Sequence, residues 1–208
     1  MSDNQLIGLA EDFFQNSLDS SPTSAIMRGH KKYFDQIEEL TEEQFQKEKE
    51  TVDNFIQRLN AIEKDNLTSR EQVTHGMLEF ALSSNQDSLL DRSWEFGAGV
   101  SGFTGFLIDY NQQMFVPDSE SADMMLKRLE LYKRLYTQIA QVQKEGLNNN
   151  RVATERNLLR TIDQLENYLA SSLDQDPLLL VNFSPEISDS EISEWKDKAK
   201  NIIEANIR

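Results

Sequence analysis

The sequence contains no cysteine and only two histidines, His30 and His75, among its 208 residues. Without a thiol, the chain has neither a disulfide framework nor a cysteine nucleophile, and zinc sites of the cysteine type are excluded. The two histidines lie far apart in the sequence, and no second histidine is near either of them. The helical zinc motif, which places two histidines four residues apart, is therefore absent.

Long apolar runs and positive charge are also scarce. The longest apolar run, Leu178 to Val181, is far shorter than the ~18 residues that a membrane-spanning helix needs. Acidic residues outnumber basic ones by 36 to 21, which gives a formal charge of −15. Such a field repels nucleic acid and anionic membranes, so we expect neither as a partner. The N-terminus lacks the features of a secretory signal, which predicts a cytoplasmic protein.

Apolar residues recur at helical spacing through almost the whole chain. A first helix is predicted to end near Ser17, and a short helix to begin at Pro22 and stop at Gly29. This periodicity predicts an all-α protein, an irregular array of about six or seven helices in a single region, 1–208. Three later helix starts carry capping-box spacing: Thr41 with Gln44, Thr68 with Glu71, and Ser188 with Glu191.

The second half of the chain contains further helix signals. Ser119 or Ser121 is expected to cap a helix that stops at Gly146, and another helix follows the polar turn at 148–151. Residues 172–188 are predicted to be extended or looped because two prolines bracket the stretch. The last helix carries its apolar face up to Arg208 without a stop signal. This favours an incomplete part of a larger helical protein, in which more chain would cover that face.

The segment 83–117 differs from the rest, because it holds four of the eight glycines together with several aromatic residues. We expect an irregular connection packed by aromatic side chains. Residues 97–102 match the G-x-G-x-x-G pattern, but no strand precedes them, which argues against a dinucleotide site. A ligand-lining loop stays open as a candidate site. Its residues would be Trp94, Phe96, Gly97, Gly99, Phe103, Phe106 and Tyr110.

The remaining candidates have simpler interpretations. His30 follows a helix stop and His75 lies within a helix, although a mixed histidine and carboxylate site formed in three dimensions stays open. The acidic clusters at 38–39, 42–43, 118–123 and 174–176 lack the spacing of a calcium loop, and several lie at helix starts, where carboxylates favour capping. No Gly-x-Ser-x-Gly elbow is present. The sequence therefore predicts no catalytic, cofactor-binding or metal-ligating residue.

Three stretches, taken in order, carry a family resemblance. They are SPTSAIMRGHKKYFDQI (21–37) after a leading helix, the pair LTSREQVTHGMLEF (67–80) and DSESADMMLKRLELYKRLYTQIAQVQKEG (118–146), and RVATERNLLRTIDQLENYLASSLDQDPLL (151–179). Together they resemble the N-terminal part of the bacterial domain-of-unknown-function family 885. The resemblance covers most of residues 5–205, and the order of the elements is more specific than any one motif.

Complete members of that family resemble zinc metallopeptidases of the gluzincin type, with carboxypeptidase-like relatives. The resemblance implies a His-Glu-x-x-Pro-Gly-His-His motif far downstream; this chain has no His-Glu pair, so no metal ligand or catalytic glutamate carries over to it. It implies an N-terminal portion, inactive by itself, that covers or shapes a substrate cleft. Zinc, the missing C-terminal catalytic region and a peptide substrate are expected only in the complete protein.

Two other interpretations stay open beside this one. The chain could be a stand-alone acidic helical domain that serves as an interaction module without enzymatic activity. It could also be a small-ligand binder that uses the glycine- and aromatic-rich loop.

Overall fold

A computed structural model describes residues 2–97 and 110–208, and it confirms the all-α class. Within these residues no helix is both long and apolar enough to cross a membrane. A short parallel pairing joins β1 (Phe115–Val116) to β2 (Asn182–Phe183), with Phe115 opposite Asn182. The α-helices are α1 (Ser2–Ser20), α2 (Pro22–Met27), α3 (Glu42–Asn60), α4 (Ser69–Asp91), α5 (Ser119–Glu130), α6 (Tyr132–Asn148), α7 (Glu155–Ala170) and α8 (Asp189–Asn206).

Several helix starts form as the sequence predicts. Thr68 and Ser188 both make complete capping boxes at the starts of α4 and α8, and Thr41 accepts a hydrogen bond from the Gln44 amide at the start of α3. Pro22 occupies the first turn of α2. Gly29 adopts a φ of 86°, a left-handed conformation that a residue without Cβ takes readily. Local cap chemistry therefore determines these boundaries.

Other boundaries differ from the prediction. The N-cap of α5 is Asp118, not Ser119 or Ser121, because its carboxylate accepts from the Ser121 amide at 2.9 Å and favours the positive helix end. α1 continues to Ser20, and α6 continues past Gly146 to Asn148. α4 extends to Asp91 and so occupies the first part of the predicted irregular connection. The stretch 172–188 contains β2 and two short 3₁₀ helices, Leu173–Gln175 and Pro177–Leu179.

The first compact unit, which we call unit 1, comprises Met1–Ser20 and Leu40–Ser93. Its helices α1, α3 and α4 pack against one another around an apolar core. A 3₁₀ helix, Lys64–Asn66, connects α3 to α4. The buried core residues are Leu6, Leu9, Val52, Phe55, Leu59, Ile62, Leu67, Leu78 and Leu82.

The second unit, unit 2, comprises Ser21–Glu39 and Trp94–Arg208. Its largest helix–helix packing is between α5 and α8. Trp195 on α8 donates from Nε1 to the Ala122 carbonyl at 2.8 Å, and its ring meets Phe183 edge-on at 5.1 Å. The other residues at the centre of this packing include Met125, Leu129, Ala199 and Ile203, all of them buried.

The apolar face of the last helix, α8, is covered, contrary to the prediction from the sequence. Its apolar face was expected to need more protein, yet Trp195, Ala199 and Ile203 are already buried within unit 2. The helix also ends at Asn206, and the Arg208 guanidinium donates to the carbonyls of Tyr168 and Ser171. Uncovered apolar faces are found instead on α4 and α7.

Candidate functional site

Only the two ends of the predicted ligand-lining loop fall in the described part of the chain. Trp94 and Phe96 belong to a short 3₁₀ helix, Ser93–Phe96, and Gly97 follows it. Tyr110 is half-buried where the described chain resumes. The other predicted members, Gly99, Phe103 and Phe106, lie outside the described residues. The ligand-lining loop therefore stays a prediction.

Glu95, between the two aromatic residues, was not singled out from the sequence. It is 2% exposed, and its carboxylate accepts a hydrogen bond from Arg151 Nε. Gly146 on α6 allows this approach: a Cβ there would lie 2.6 Å from the Arg151 carbonyl oxygen and 2.7 Å from that of Glu95. Gly146 is thus needed for close packing and is not a helix stop.

A second buried cluster centres on Arg128 of α5, whose side chain is fully buried. Glu38 accepts from the Thr23 amide at 2.9 Å and from the Thr23 hydroxyl at 2.8 Å, and it lies 3.9 Å from Arg128 Nη2. Arg128 also donates to the Thr23 hydroxyl and to the Gln36 carbonyl. Because Thr23 lies in the first turn of α2, Glu38 caps that helix from a distant loop. This cluster ties residues 21–39 to α5.

Tyrosines extend the buried polar region along α6. The rings of Tyr132 and Tyr136 meet edge-on at 5.9 Å, and burial raises the pKa of both phenols. Tyr168 on α7 donates to the buried Asp176 carboxylate at 2.8 Å, and burial together with this hydrogen bond raises its pKa. Asp176 also accepts from the Leu178 amide at 3.0 Å. All three phenols therefore stay protonated near neutral pH, and Tyr168 uses its proton in a structural hydrogen bond to Asp176.

Three atoms in unit 2 are buried without a hydrogen-bond partner in the described part of the chain: Arg128 Nε, Tyr136 Oη and Asn111 Oδ1. Asn111 nevertheless donates from Nδ2 to the Leu178 carbonyl at 2.9 Å. Unit 1 has one such atom, His75 Nδ1, on a histidine that is 3% exposed. Unpaired buried polar atoms are few in folded proteins, and here each belongs to a side chain that packs in a core.

The two histidines belong to different units, His30 to unit 2 and His75 to unit 1. His30 precedes the 3₁₀ helix Lys31–Tyr33, and its ring meets the Tyr33 ring edge-on at 6.4 Å. His75 faces the core of unit 1 from α4. Among the described residues, no group of three or more histidine, aspartate or glutamate side chains is arranged to hold a metal ion. These residues therefore do not fit the zinc site that the family resemblance implies for the complete protein.

Two surface depressions are each lined by a mixture of apolar, polar and charged side chains. One, of about 440 Å³, lies between α1 and α3 and includes the ion pair of Asp12 with Arg58 at 2.6 Å. The other, of about 210 Å³, lies between α5 and α8 above Trp195. In the second, Glu191 already accepts from Ser119 and from its own N-cap, Ser188. The Ser119 hydroxyl is thus paired with a carboxylate whose pKa is lowered by its hydrogen bonds from Ser188 and Ser119, which makes Glu191 a weak base.

Two helices expose apolar side chains at helical spacing. On α4, Val73, Met77 and Phe80 are 62%, 69% and 76% exposed, on the side opposite to the buried Leu78 and Leu82. We call these three residues the α4 stripe. On α7, no residue is buried, and five apolar side chains form one exposed face. This α7 face consists of Leu158, Leu159, Ile162, Leu165 and Leu169.

The sequence matches one protein-family model, described as a bacterial protein of unknown function (DUF885), from residue 22 to residue 208. The chain belongs to this family. No curated protein and no solved structure matches it. The match confirms the family indicated by the sequence, whereas the relationship of DUF885 to metallopeptidases stays a prediction. Both the α4 stripe and the α7 face fall inside the matched region of this DUF885 chain.

Proposed function

We propose that this DUF885 chain is the helical, non-catalytic portion of a metallopeptidase-like cytoplasmic protein. In this proposal it packs against a separate catalytic region and covers or shapes a cleft for peptide substrates. When bound in that region, zinc would polarise a peptide carbonyl and activate water. The contribution of this chain is to bury an apolar surface and fix the walls of the cleft.

The observation that carries the proposal is the two-sided character of α4. One side packs Leu78 and Leu82 into unit 1, while Val73, Met77 and Phe80 on the other side are largely exposed. A helix at the surface of a globular protein usually has one apolar side and one polar side. A helix that is apolar on two opposite sides is typical of an inner layer, with neighbours on both. The α4 stripe therefore favours a further helical or sheet layer packed over unit 1.

The first test is the reading frame of the gene together with the activity of its products. We expect the frame to continue beyond Arg208 into a His-Glu-x-x-Pro-Gly-His-His motif. The complete product should then bind zinc and cleave peptides, and the 208-residue chain should do neither. A stop codon directly after Arg208 would contradict the proposal and favour the stand-alone interaction domain. Peptidase activity with stoichiometric zinc in the short chain would contradict it equally.

A second test asks whether the α4 stripe is covered in the complete protein. Met77→Glu should change the unfolding free energy of the short chain by no more than about 0.5 kcal/mol, because Met77 is exposed there. In the complete protein the same variant should cost at least about 3 kcal/mol, since a carboxylate would replace a buried apolar side chain. Both values are measured by denaturant unfolding.

Leu90→Glu is the matched control, because Leu90 lies on the same helix and is 65% exposed, compared with 69% for Met77, but it is outside the stripe. The control should be nearly neutral in both proteins. If Met77→Glu is as harmless as Leu90→Glu in the complete protein, the stripe is not an interface and the packing proposal fails.

A further inference from the structure

Helix α7 is attached to the rest of unit 2 without burying any of its 16 residues. Even on its apolar side, Leu158, Ile162 and Leu165 are between 36% and 49% exposed. The helix therefore gains little from the burial of apolar side chains, which supplies most of the stability of helices in folded proteins. An isolated helix of about this length is only marginally stable in water. The position of α7 must therefore depend on a few specific contacts.

The segment that contains α7 lies between two anchors in the interior of unit 2. Before the helix, Arg151 donates from Nε to the buried Glu95 carboxylate. After the helix, the buried Asp176 accepts from a backbone amide of the next 3₁₀ helix at 3.0 Å. Residues 152–154 have no regular secondary structure, and the N-cap residue Thr154 makes no side-chain capping hydrogen bond. A segment of this kind can open between its anchors while the surrounding structure stays folded.

The contacts that hold α7 to the described part of unit 2 lie at its C-terminal end. The Arg208 guanidinium donates to three backbone carbonyls there, those of Tyr168, Leu169 and Ser171, at 2.5, 3.0 and 2.7 Å. It also lies over the Tyr168 ring, 5.2 Å from the ring centroid. The Tyr168 hydroxyl in turn donates to Asp176 at 2.8 Å. Two side chains thus make the connection.

Arg208 supplies what the end of α7 lacks. The three carbonyls lie in the last turn of the helix and just after it, where C=O groups have no partner from a following turn. A cation at this end also interacts favourably with the helix dipole. Arg208 follows α8, which is packed into unit 2 through the buried Trp195, Ala199 and Ile203. One side chain therefore joins a helix without buried residues to a helix in the core.

We propose that α7 opens as a unit, separately from the rest of unit 2, and that Arg208 is the latch that holds it closed. Opening breaks the contacts of Arg208 and Tyr168 with their partners and leaves the packing of α5 against α8 intact. Elements of such low local stability are the ones that proteins use for conformational change. The α7 face is exposed while the latch is closed, so the proposal requires no partner for it. It is also independent of the metallopeptidase proposal, because it involves no residue of α4.

Native-state hydrogen exchange of the 208-residue chain, followed by mass spectrometry, measures this opening. Amides of α7 should exchange at least about tenfold faster than amides of α5 and α8, because they need only the local opening and not the unfolding of unit 2. Equal protection of α7 and α8 would overturn the proposal, since α7 would then open only when the whole unit unfolds.

Arg208→Met tests the latch, because it removes the charge and every donor of the guanidinium. The exchange of α7 should become at least about tenfold faster, while that of α5 and α8 should change less than about twofold. Arg160→Met is the matched control: Arg160 is exposed in the middle of α7, and its substitution should change α7 exchange by less than about twofold. Equal effects of the two substitutions on α7 contradict the latch, and so does faster exchange of α8 to the same extent as α7.

Tyr168→Phe tests the second contact, since it removes the hydroxyl and keeps the ring under Arg208. Alone it should make α7 exchange about threefold to tenfold faster. Combined with Arg208→Met, it should bring α7 to within about tenfold of the exchange rate of an unprotected chain, because the released helix is only marginally stable. The fluorescence of Trp195 should stay unchanged and show that the core of unit 2 remains folded. If α7 stays strongly protected in the double variant, other contacts hold it and Arg208 is not the latch.

Discussion

In unit 1 the ion pairs of Arg58 with Asp12 and of Lys64 with Glu79 lie at the surface, whereas in unit 2 Arg128 and Glu38 meet inside the core. The single buried polar side chain that we find in the described part of unit 1 is His75. Unit 2 buries many more: Thr23, Glu38, Glu95, Asn111, Ser121, Arg128, Asp176 and Ser184. Unit 2 therefore buries polar and charged side chains that unit 1 keeps at its surface, although unit 2 also has exposed ion pairs such as that of Lys31 with Asp118.

This difference in buried polar side chains affects which interactions fix the relative positions of the elements within each unit. An apolar bundle such as unit 1 tolerates small shifts of its helices, because apolar contacts are not directional. A buried carboxylate or guanidinium must keep its partners, since leaving it unpaired costs far more than the pair itself contributes. Unit 2, whose elements include loops and 3₁₀ helices, is therefore held in place by directional contacts around Arg128, Glu95 and Asp176.

The largest expected effect comes from breaking the central contact of unit 2. Arg128→Met leaves Glu38 buried and without its cation, and we expect a loss of about 3–5 kcal/mol in the unfolding free energy of unit 2. The equivalent change in unit 1, Arg58→Met, removes an exposed ion pair and should cost less than about 1 kcal/mol. Denaturant unfolding of both variants compares the two units directly.

The chain offers a probe that separates the units. Both tryptophans, Trp94 and Trp195, belong to unit 2, so tryptophan fluorescence follows unit 2, while far-ultraviolet circular dichroism follows both units. The fluorescence transition should move in Arg128→Met and stay in place in Arg58→Met. Equal costs for the two substitutions would show that the buried pair is no more important than the surface pair.

Two glycine-to-alanine substitutions, one in each unit, should change the free energy of unfolding by an intermediate amount and in opposite directions. Gly146→Ala in unit 2 places a Cβ within 2.7 Å of two backbone oxygens, and the overlap should cost about 1–3 kcal/mol. Gly8→Ala in unit 1 meets nothing within 4 Å and lies inside α1, so it should stabilise the chain by about 0.5–1 kcal/mol. Opposite signs in thermal or denaturant unfolding are expected. A neutral Gly146→Ala would show that α6 can move away from residues 95 and 151.

The sequence was more informative for unit 1 than for unit 2. Periodic apolar residues and the caps at Thr41 and Thr68 predict α3 and α4 because both signals are local. The contact of Glu38 with Arg128 joins residues far apart in the chain, and periodicity carries no information about it. The sequence analysis assigned Glu38 to an acidic cluster. It did not single out Arg128, because Arg128 lies in a helix with an ordinary amphipathic pattern. The one sequence signal that could have indicated a buried Arg128 is its position on the same side of α5 as Met125 and Leu129.

The uncovered faces were missed for a related reason. Helical spacing predicts that Leu158, Ile162 and Leu165 share one side of α7, but it does not tell whether that side meets a neighbour. The last helix illustrates the converse, because its face was expected to be uncovered and Trp195 and Ile203 are in fact buried. Spacing defines a face, whereas tertiary structure decides whether it is covered.

The smallest expected effect concerns a surface pair of unit 1 and its dependence on pH. Arg92 donates to Glu42 and lowers the pKa of that carboxyl from 4.5 to about 2. A carboxyl whose pKa is lower in the folded state contributes stability that is present above pH 4.5 and is lost as the pH falls towards 2. Because the Glu42 side chain is 49% exposed, solvent screens the pair and its contribution should be only about 0.5–1 kcal/mol.

Glu42→Gln should therefore be less stable than the wild-type chain by this amount at neutral pH, and the difference should shrink as the pH approaches 2. Urea unfolding followed by circular dichroism at a series of pH values measures the difference. A gap that stays constant down to pH 2 would show that Glu42 acts through packing or capping and not through its charge.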